Sequence, residues 1–349
     1  MKDRNVSNVL ALIRKHDSLT RRQIESLTGL SWGAVSKVTS TLLELEYIKE
    51  LKYEENSGPG RTPIYLEING HEHFSVGVDI NISGFCAVLL NMKNEVIHTI
   101  TKKETFNTKN ELLAKITDII YEILSFAEGH HILSIGIAMQ GLVDSGNGIS
   151  VSFPTCDDWH NVPLSTLLET EFGVPVFIEH DPECILYAHS ELEHSENIIL
   201  IRVDKGIGMA VMMNGKIFHR FGAFEIGQLM VNESDTLDMY ASEYGLTKRY
   251  DGSFETLVSD ARKKNPKATE LFNKMSKYLA FSVYNTAKLF NIKEIMLCGK
   301  MFDYSDLFLN NFYNEINKTD KNLKFSIADV KNAATGAAMI GISRTTLNF

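Results

Sequence analysis

Near the start of the chain, cations and hydroxyl side chains recur at spacings that suit a polyanion. Arg61 lies in Gly58-Pro59-Gly60-Arg61-Thr62-Pro63. An arginine at the tip of such a loop suits insertion into the narrow, electronegative minor groove of DNA. Thr20, Arg21 and Arg22 stand where a helix would begin, a place from which side chains and backbone N–H groups touch phosphates. Ser31, Trp32, Gly33, Ser36 and Lys37 would open the next helix, and a recognition helix presents its N-terminal end to the bases of the major groove. Which of these residues reads a base is left open by the sequence, and Arg21 and Arg22 could each be part of a solvated helix face. The four cysteines, Cys86, Cys156, Cys184 and Cys298, form no C-x-x-C pair, which argues against a disulfide framework and a thiolate metal site.

The elements that must position these residues follow from hydrophobic periodicity. Val6, Val9, Leu10 and Ile13 form the stripe of a first amphipathic helix. Thr20 followed by Gln23 has the form of a capping box, with Ile24 and Leu27 expected to face inward and Gly29 to end the helix. A third helix, capped by Ser31, carries Ala34, Val35, Val38, Leu42 and Leu45 at helical spacing. Two short helices joined by a tight glycine-containing turn make a helix-turn-helix, although any three-helix bundle would share this pattern. The tail of the pattern separates the two readings. Tyr47–Leu51 and Ile64–Ile68 read as strands flanking the Arg61 loop, which makes that loop a wing.

Bulk composition bounds the rest. A chain of 349 residues with 44% hydrophobic content calls for two or three domains. Its net charge of −9 is unusual for a DNA-binding protein, but residues 1–70 hold ten Lys/Arg against nine Asp/Glu, so the negative excess belongs to residues 71–349. Met1-Lys2-Asp3-Arg4 is not followed by the apolar run of a secretory signal, and no apolar stretch is long enough to span a bilayer, so a soluble, cytoplasmic protein without a membrane partner is expected. From Phe74 onward, strands alternate with helices. The first cycle runs through Ser75–Ile80, Gly84–Leu90, Glu111–Ala127, Ile132–Met139, Leu164–Phe172 and Val176–Glu179. A second cycle has strands at Ile198–Val203, Gly208–Met213 and Ile295–Cys298, so two α/β halves with a cleft between them are expected.

Several segments, in order, resemble the ROK family of sugar kinases, open reading frames and repressors. Gly136-Ile137-Ala138-Met139-Gln140-Gly141-Leu142-Val143-Asp144 resembles the first sugar-side loop, and Trp159-His160-Asn161-Val162-Pro163-Leu164 the W-x-x-V-P-L segment. Ile178-Glu179-His180-Asp181 resembles V-E-N-D, whose Asp is the general base of the kinases. Gly222–Gln228 resembles G-E-I-G-H, and Ala333–Ala338 resembles the C-terminal G-A-A helix. A G-R-x-P wing is what the family's repressors add. The resemblance implies an α/β chain in which a winged helix-turn-helix (residues 1–70) precedes a two-lobed actin/hexokinase-like, ribonuclease H-like ROK module, with lobes at 71–185 and 186–349. It implies a sugar site formed by Gly141, Asn161, His180, Asp181, Glu225, Gln228 and Asp238. Carboxylates and amides suit that task because a sugar is a ring of hydroxyls best gripped by paired hydrogen bonds. Asp181 could instead cap the helix that Pro182 begins, or do both. Glu225 is expected to be buried beside Ile226 and to face Asp181 across the cleft; an exposed loop carboxylate is the other reading.

The departures from the family pattern matter as much. The hairpin Asp79-Ile80-Asn81-Ile82-Ser83 lacks the glycines of the kinases' D-x-G-G-T, where backbone N–H groups approach ATP phosphates. Asp204-Lys205 replaces a G-T pair in the second phosphate segment, and a fixed carboxylate there would oppose a triphosphate. Gln228 replaces the zinc-binding His, the segment carrying the zinc cysteines is missing between Val231 and Leu237, and Asp238 replaces a sugar-binding Glu. The resulting expectation is a DNA-binding transcriptional regulator, a repressor of carbohydrate-related genes. It would bind double-stranded operator DNA and a sugar effector, form a homodimer or larger homo-oligomer, and have no cofactor, no metal and no catalytic residue. A sugar kinase fused to a DNA-binding domain is the competing reading, and a regulator that senses a partner protein is a third.

Overall fold

The stripe Val6, Val9, Leu10 and Ile13 winds into α1 (Lys2–Lys15) and is buried along its length. In the computed structural model the described residues are 2–52, 63–193, 195–218, 224–328 and 332–346. After β1 (Ser18–Thr20) come α2 (Arg21–Thr28) and α3 (Trp32–Glu44), then β2 (Ile48–Lys52) and β3 (Ile64–Ile68). The three strands form an antiparallel sheet in the order β1-β3-β2, the winged-helix arrangement. The loop between β2 and β3, and Arg61 with it, lies outside the described residues. Gly29 ends α2 because its φ of 68° is left-handed and lets its N–H reach Glu25 O at 3.0 Å. Val9, Leu10, Ile13, Ile24, Val35, Leu42 and Leu66 are wholly enclosed, and burying each such side chain contributes about 1.5–3 kcal/mol. Two expected core positions are not in the core. Leu27 is 54% exposed and Leu45 43% exposed, because Leu27 sits in the last turn of a two-turn helix and Leu45 is the C-cap of α3. Leu30, just past Gly29, packs against the head's core instead.

The next sheet has the order β11-β7-β4-β5-β6, built from β4 (His73–Asn81), β5 (Gly84–Asn91), β6 (Val96–Lys102), β7 (His131–Met139) and β11 (Val176–His180). Strand β4 lies at its centre, parallel to β7 and antiparallel to β5, and eight of its nine residues are buried. Helix α4 (Lys109–Leu124) covers one face with Leu112, Ile116, Ile119, Ile120 and Ile123. A small meander, β8 (Leu142–Asp144), β9 (Ile149–Phe153) and β10 (Cys156–Val162), precedes α5 (Leu164–Phe172).

Helix α6 (Asp181–Glu193) leads to a second sheet of order β14-β13-β12-β15-β16. Its strands are β12 (Ile198–Val203), β13 (Ile207–Met213), β14 (Lys216–Ile217), β15 (Glu294–Cys298) and β16 (Lys324–Ile327). Between β14 and β15 run α7 (Leu237–Ala241), α8 (Glu243–Lys248), α9 (Phe254–Arg262) and the long α10 (Pro266–Phe290). Helix α11 (Leu309–Thr319) and the terminal α12 (Asn332–Thr346) complete the chain. No helix among the described residues is long and apolar enough to cross a membrane.

Contacts divide the chain into two compact units. One holds residues 1–179 and 337–349; the other holds residues 180–336. The lobe boundary expected at 185/186 falls inside α6, whereas the contacts divide at Glu179/His180 and α12 returns most of its length to the first unit.

Within the first unit the winged-helix head is joined to the sheet by direct contacts. Leu45 O, at the end of α3, can only accept, so the His73 Nε2–H of β4 donates to it at 2.8 Å. The His73 ring stacks on Tyr47, with ring centroids 4.4 Å apart. Met92, just past β5, and Leu133, of β7, complete the head's apolar core. Glu67 of β3 pairs with Lys49 at 3.0 Å and with Lys93, beyond β5, at 3.2 Å. Burial pushes the Glu67 carboxyl up, but the hydrogen bonds from the two lysines outweigh it and hold the group below the usual carboxylate range.

Candidate DNA-reading head and sensing site

The head presents the starts of α2 and α3. Thr20 and Gln23 cap reciprocally: Thr20 Oγ1 accepts the Gln23 N–H at 3.3 Å and Gln23 Oε1 accepts the Thr20 N–H at 2.8 Å. Ser31 Oγ accepts the Ala34 N–H at 3.4 Å. Trp32, Gly33 and Lys37 are exposed on the first turns of α3, with Ser36 half-buried beside them, and a side chain added at Gly33 would meet open space. Arg22 is exposed. Arg21 is engaged internally: its Nε–H donates to Thr39 Oγ1 and its Nη2–H to Glu50 Oε1, both at 3.0 Å, so it ties α2 to α3 and to β2.

The first unit holds Gly141 and Asn161. Gly141 has φ 94°, and a Cβ there would lie 2.3 Å from Ser152 O, so only glycine fits. Asn161, an exposed residue of β10, takes a left-handed φ of 46°. Two residues earlier, Trp159 is fully buried and its Nε1–H donates to Ser150 Oγ at 2.8 Å, so the tryptophan of this segment is a core residue. At the β4–β5 turn, the Ile82 N–H donates to Gln140 Oε1 at 3.1 Å and the Ser83 N–H to Asn81 Oδ1 at 2.9 Å. The amides of this turn are therefore taken up by the chain's own side chains.

The second unit gathers the other candidates around the tip of the β12–β13 hairpin. On one side, Asp181, 3% exposed, is paired with Arg202, and His180 Nε2 lies 3.5 Å from Asp181 Oδ1. The Arg202 Nε–H also donates to Asp204 Oδ2 at 2.6 Å, and the Lys300 N–H donates to Asp204 Oδ1. On the other side, Asp238 accepts the Ile207 N–H at 2.9 Å and the Gln228 Nε2–H at 3.1 Å. Gly227 allows this approach, since a Cβ there would lie 2.6 Å from the Asp238 carboxylate. Glu225 departs from expectation in two ways. It is exposed, and it belongs to the same compact unit as Asp181, so the two do not come from different units. Sequence reading missed Arg202. Its signal was there, a lone charge in Ile198-Ile199-Leu200-Ile201-Arg202-Val203, a strand buried enough to demand a partner for it.

The electrostatics at Asp238 yield a pH prediction. Burial pushes the carboxyl above its ordinary value of 3.8, the Ile207 N–H opposes, and the charge of Glu225 pushes it further up. Because the folded state holds the proton more tightly than the unfolded chain, this group favours folding at acidic pH, and that contribution is lost as pH rises through the folded value. Asp238→Asn, neutral throughout, should therefore gain stability relative to the parent as pH rises from about 4 towards 7. Urea unfolding of both proteins across that range checks this; parallel pH profiles would refute it.

No group of three His, Cys, Asp or Glu side chains is placed to hold a metal ion among the described residues. Gln228 bonds to Asp238, and three of the four cysteines are buried and none belongs to such a group among the described residues, so the residues present do not fit the family's zinc centre.

These features define an α/β body of sugar-kinase type carrying a winged-helix head. A family model described as the ROK family matches residues 75–343. The chain belongs to the ROK family. The xylose repressor of Bacillus spizizenii (strain ATCC 23059 / NRRL B-14472 / W23) is 24% identical over 335 residues, covering 89% of this chain and 86% of that protein. A solved ROK family transcriptional regulator, a homologue of the Escherichia coli MLC protein, superposes with a TM-score of 0.84 at 18% identity over 99% of this chain and 98% of its own. A ROK glucokinase from Streptomyces griseus, solved with glucose and AMPPNP, gives a TM-score of 0.62 at 20% identity over 76% of this chain and 98% of its own. The kinase match lacks the part of this chain that the regulator match includes.

Proposed function

We propose that this chain is a transcriptional repressor of carbohydrate-related genes, with residues 1–70 binding operator DNA and the rest of the chain sensing a sugar. The observation that carries the reading is the winged-helix head, with Trp32, Gly33 and Lys37 exposed at the start of α3. The Bacillus spizizenii relative, named a xylose repressor, supports the sugar as the class of effector. Operator DNA would be read by the start of α3 in the major groove, with Thr20, Arg22 and Ser31 at the phosphates and Arg61 on the wing; Arg21 would hold these elements in place. Asp181, His180, Gln228 and Asp238, which the second unit gathers around the tip of the β12–β13 hairpin, would contact the sugar. The protein would act in the cytoplasm as a homodimer or larger homo-oligomer, since helix-turn-helix proteins commonly read paired half-sites.

The direct test is operator binding, followed by fluorescence anisotropy at fixed salt with and without each sugar of a panel. Lys37→Ala and Trp32→Ala should each weaken operator binding about tenfold or more, since a good base contact is worth about 1–3 kcal/mol. Unchanged affinity in both variants would remove α3 from the major groove.

A non-enzymatic role fits the local chemistry. Asp181, where the kinases keep a general base, is held by Arg202, and the Ile82, Ser83 and Ile207 N–H groups of the segments that resemble the kinases' phosphate loops all donate to the chain's own side chains. Sugar-dependent ATP turnover should be undetectable in a coupled assay. Rates in the usual enzyme range of about 1–1000 per second would favour the kinase reading instead.

A further inference from the structure

We infer that Asp204 is a built-in anion that rejects phosphate, restricting this unit to ligands without a phosphoryl group. The inference deepens the proposed sensing role and rests on it only for the identity of the ligand. Three features converge on the one carboxylate. Oδ1 accepts the Lys300 N–H, at the first residue of the helical turn that follows Gly299 in the Lys300–Leu307 segment. Oδ2 accepts the Arg202 Nε–H at 2.6 Å. The Asp204 backbone is fixed as well: its N–H donates to Gly206 O and its carbonyl accepts the Glu243 N–H, each at 2.9 Å. A guanidinium and a backbone N–H beside it are donors that favour an oxyanion. Here both are already engaged by an aspartate whose side chain is 13% exposed.

The neighbouring donor is engaged in the same way. Ile207, three residues on, gives its N–H to Asp238, and Gly227, where a Cβ would lie 2.6 Å from it, leaves the space in which that carboxylate sits. The hairpin tip therefore has two carboxylates where its backbone and its one buried cation would otherwise attract a phosphate, with Asp181 on the same guanidinium and Glu225 adding a fourth negative group. A phosphoryl group entering here would find its donors engaged and would meet like charge at close range, while an uncharged hydroxyl would meet acceptors.

The test compares the full chain with Asp204→Asn, which keeps an acceptor for the Lys300 N–H but removes the charge, and with Asp204→Ser, which removes the carboxylate altogether. Each is titrated calorimetrically with tripolyphosphate, ADP and glucose 6-phosphate, and with glucose and xylose as neutral probes; melting curves verify folding. The wild type should show no binding of the three phosphate compounds at millimolar concentration, and at least one variant should bind tripolyphosphate about tenfold or more tightly, the effect of one unit charge removed at close range. Phosphate binding by the wild type equal to that of the variants, or no gain in either folded variant, overturns the inference. If neither neutral sugar binds, that counts against the sugar panel of the proposed function, while the phosphate comparison still decides the role of Asp204.

Discussion

Arg202→Met is expected to cost about 3–5 kcal/mol of stability, because removing one member of a buried ion pair leaves its partners charged and uncompensated. The side chain of Arg202 is 11% exposed, that of Asp181 4% and that of Asp204 13%, so water cannot replace the guanidinium at little cost. The melting temperature should fall by about 6–20 °C, at about 2–4 °C per kcal/mol for units of this size. The triple variant Arg202→Met, Asp181→Asn, Asp204→Asn should recover most of the loss, since a buried pair replaced as a whole is often neutral. Differential scanning calorimetry of the two proteins decides the matter. A single-variant loss under about 1 kcal/mol would mean that the network is solvated in solution.

The second large effect is at Trp159, in the segment that most resembles the family's W-x-x-V-P-L. Wholly buried and hydrogen-bonded to Ser150, it packs in the core of the first unit with Phe153, Val162 and Leu164. Trp159→Ala should therefore cost about 3–5 kcal/mol, the usual range for emptying a large aromatic site. Trp159→Phe, which keeps most of the volume but leaves Ser150 without its donor, should cost less. The folded fraction of either variant should respond to an effector as the parent does, since this ring has no surface with which to touch one. An altered effector affinity with unchanged stability would instead place Trp159 in the sensing pocket.

The local grammar of the chain was legible in advance. The capping box of Thr20 and Gln23, the stop at Gly29, the cap at Ser31 and the bounds of Ile64–Ile68, Leu164–Phe172 and Ile198–Val203 all follow from propensities that act within a few residues. The long-range pairs were not legible. Arg21 and Glu50 are 29 positions apart, and Arg202 and Asp181 are 21 apart; nothing local marks either pair. Periodicity also assigns a face without saying what covers it, which is why Leu27 and Leu45 were placed in a core that does not reach them. Glu225 misled for a related reason: its glycine and isoleucine neighbours suggested enclosure, but only Ile226 and Gly227 are buried.

The head, though recognisable as a module in the sequence, is not a detachable one. Its core counts Met92 and Leu133 among its members, and the carbonyl of Leu45 at the end of α3 is held by a histidine from the central strand of the neighbouring sheet. Cut at residue 70, it would present bare apolar surface where those side chains had been and would lose the donor at Leu45 O. Exchanging heads between regulators of this build would therefore mean carrying part of the sheet along with α1, α2 and α3. If operator DNA is read as proposed above, the exposed Trp32, Gly33 and Lys37 at the start of α3 are positions where a substitution would change operator preference and leave the shared seam untouched.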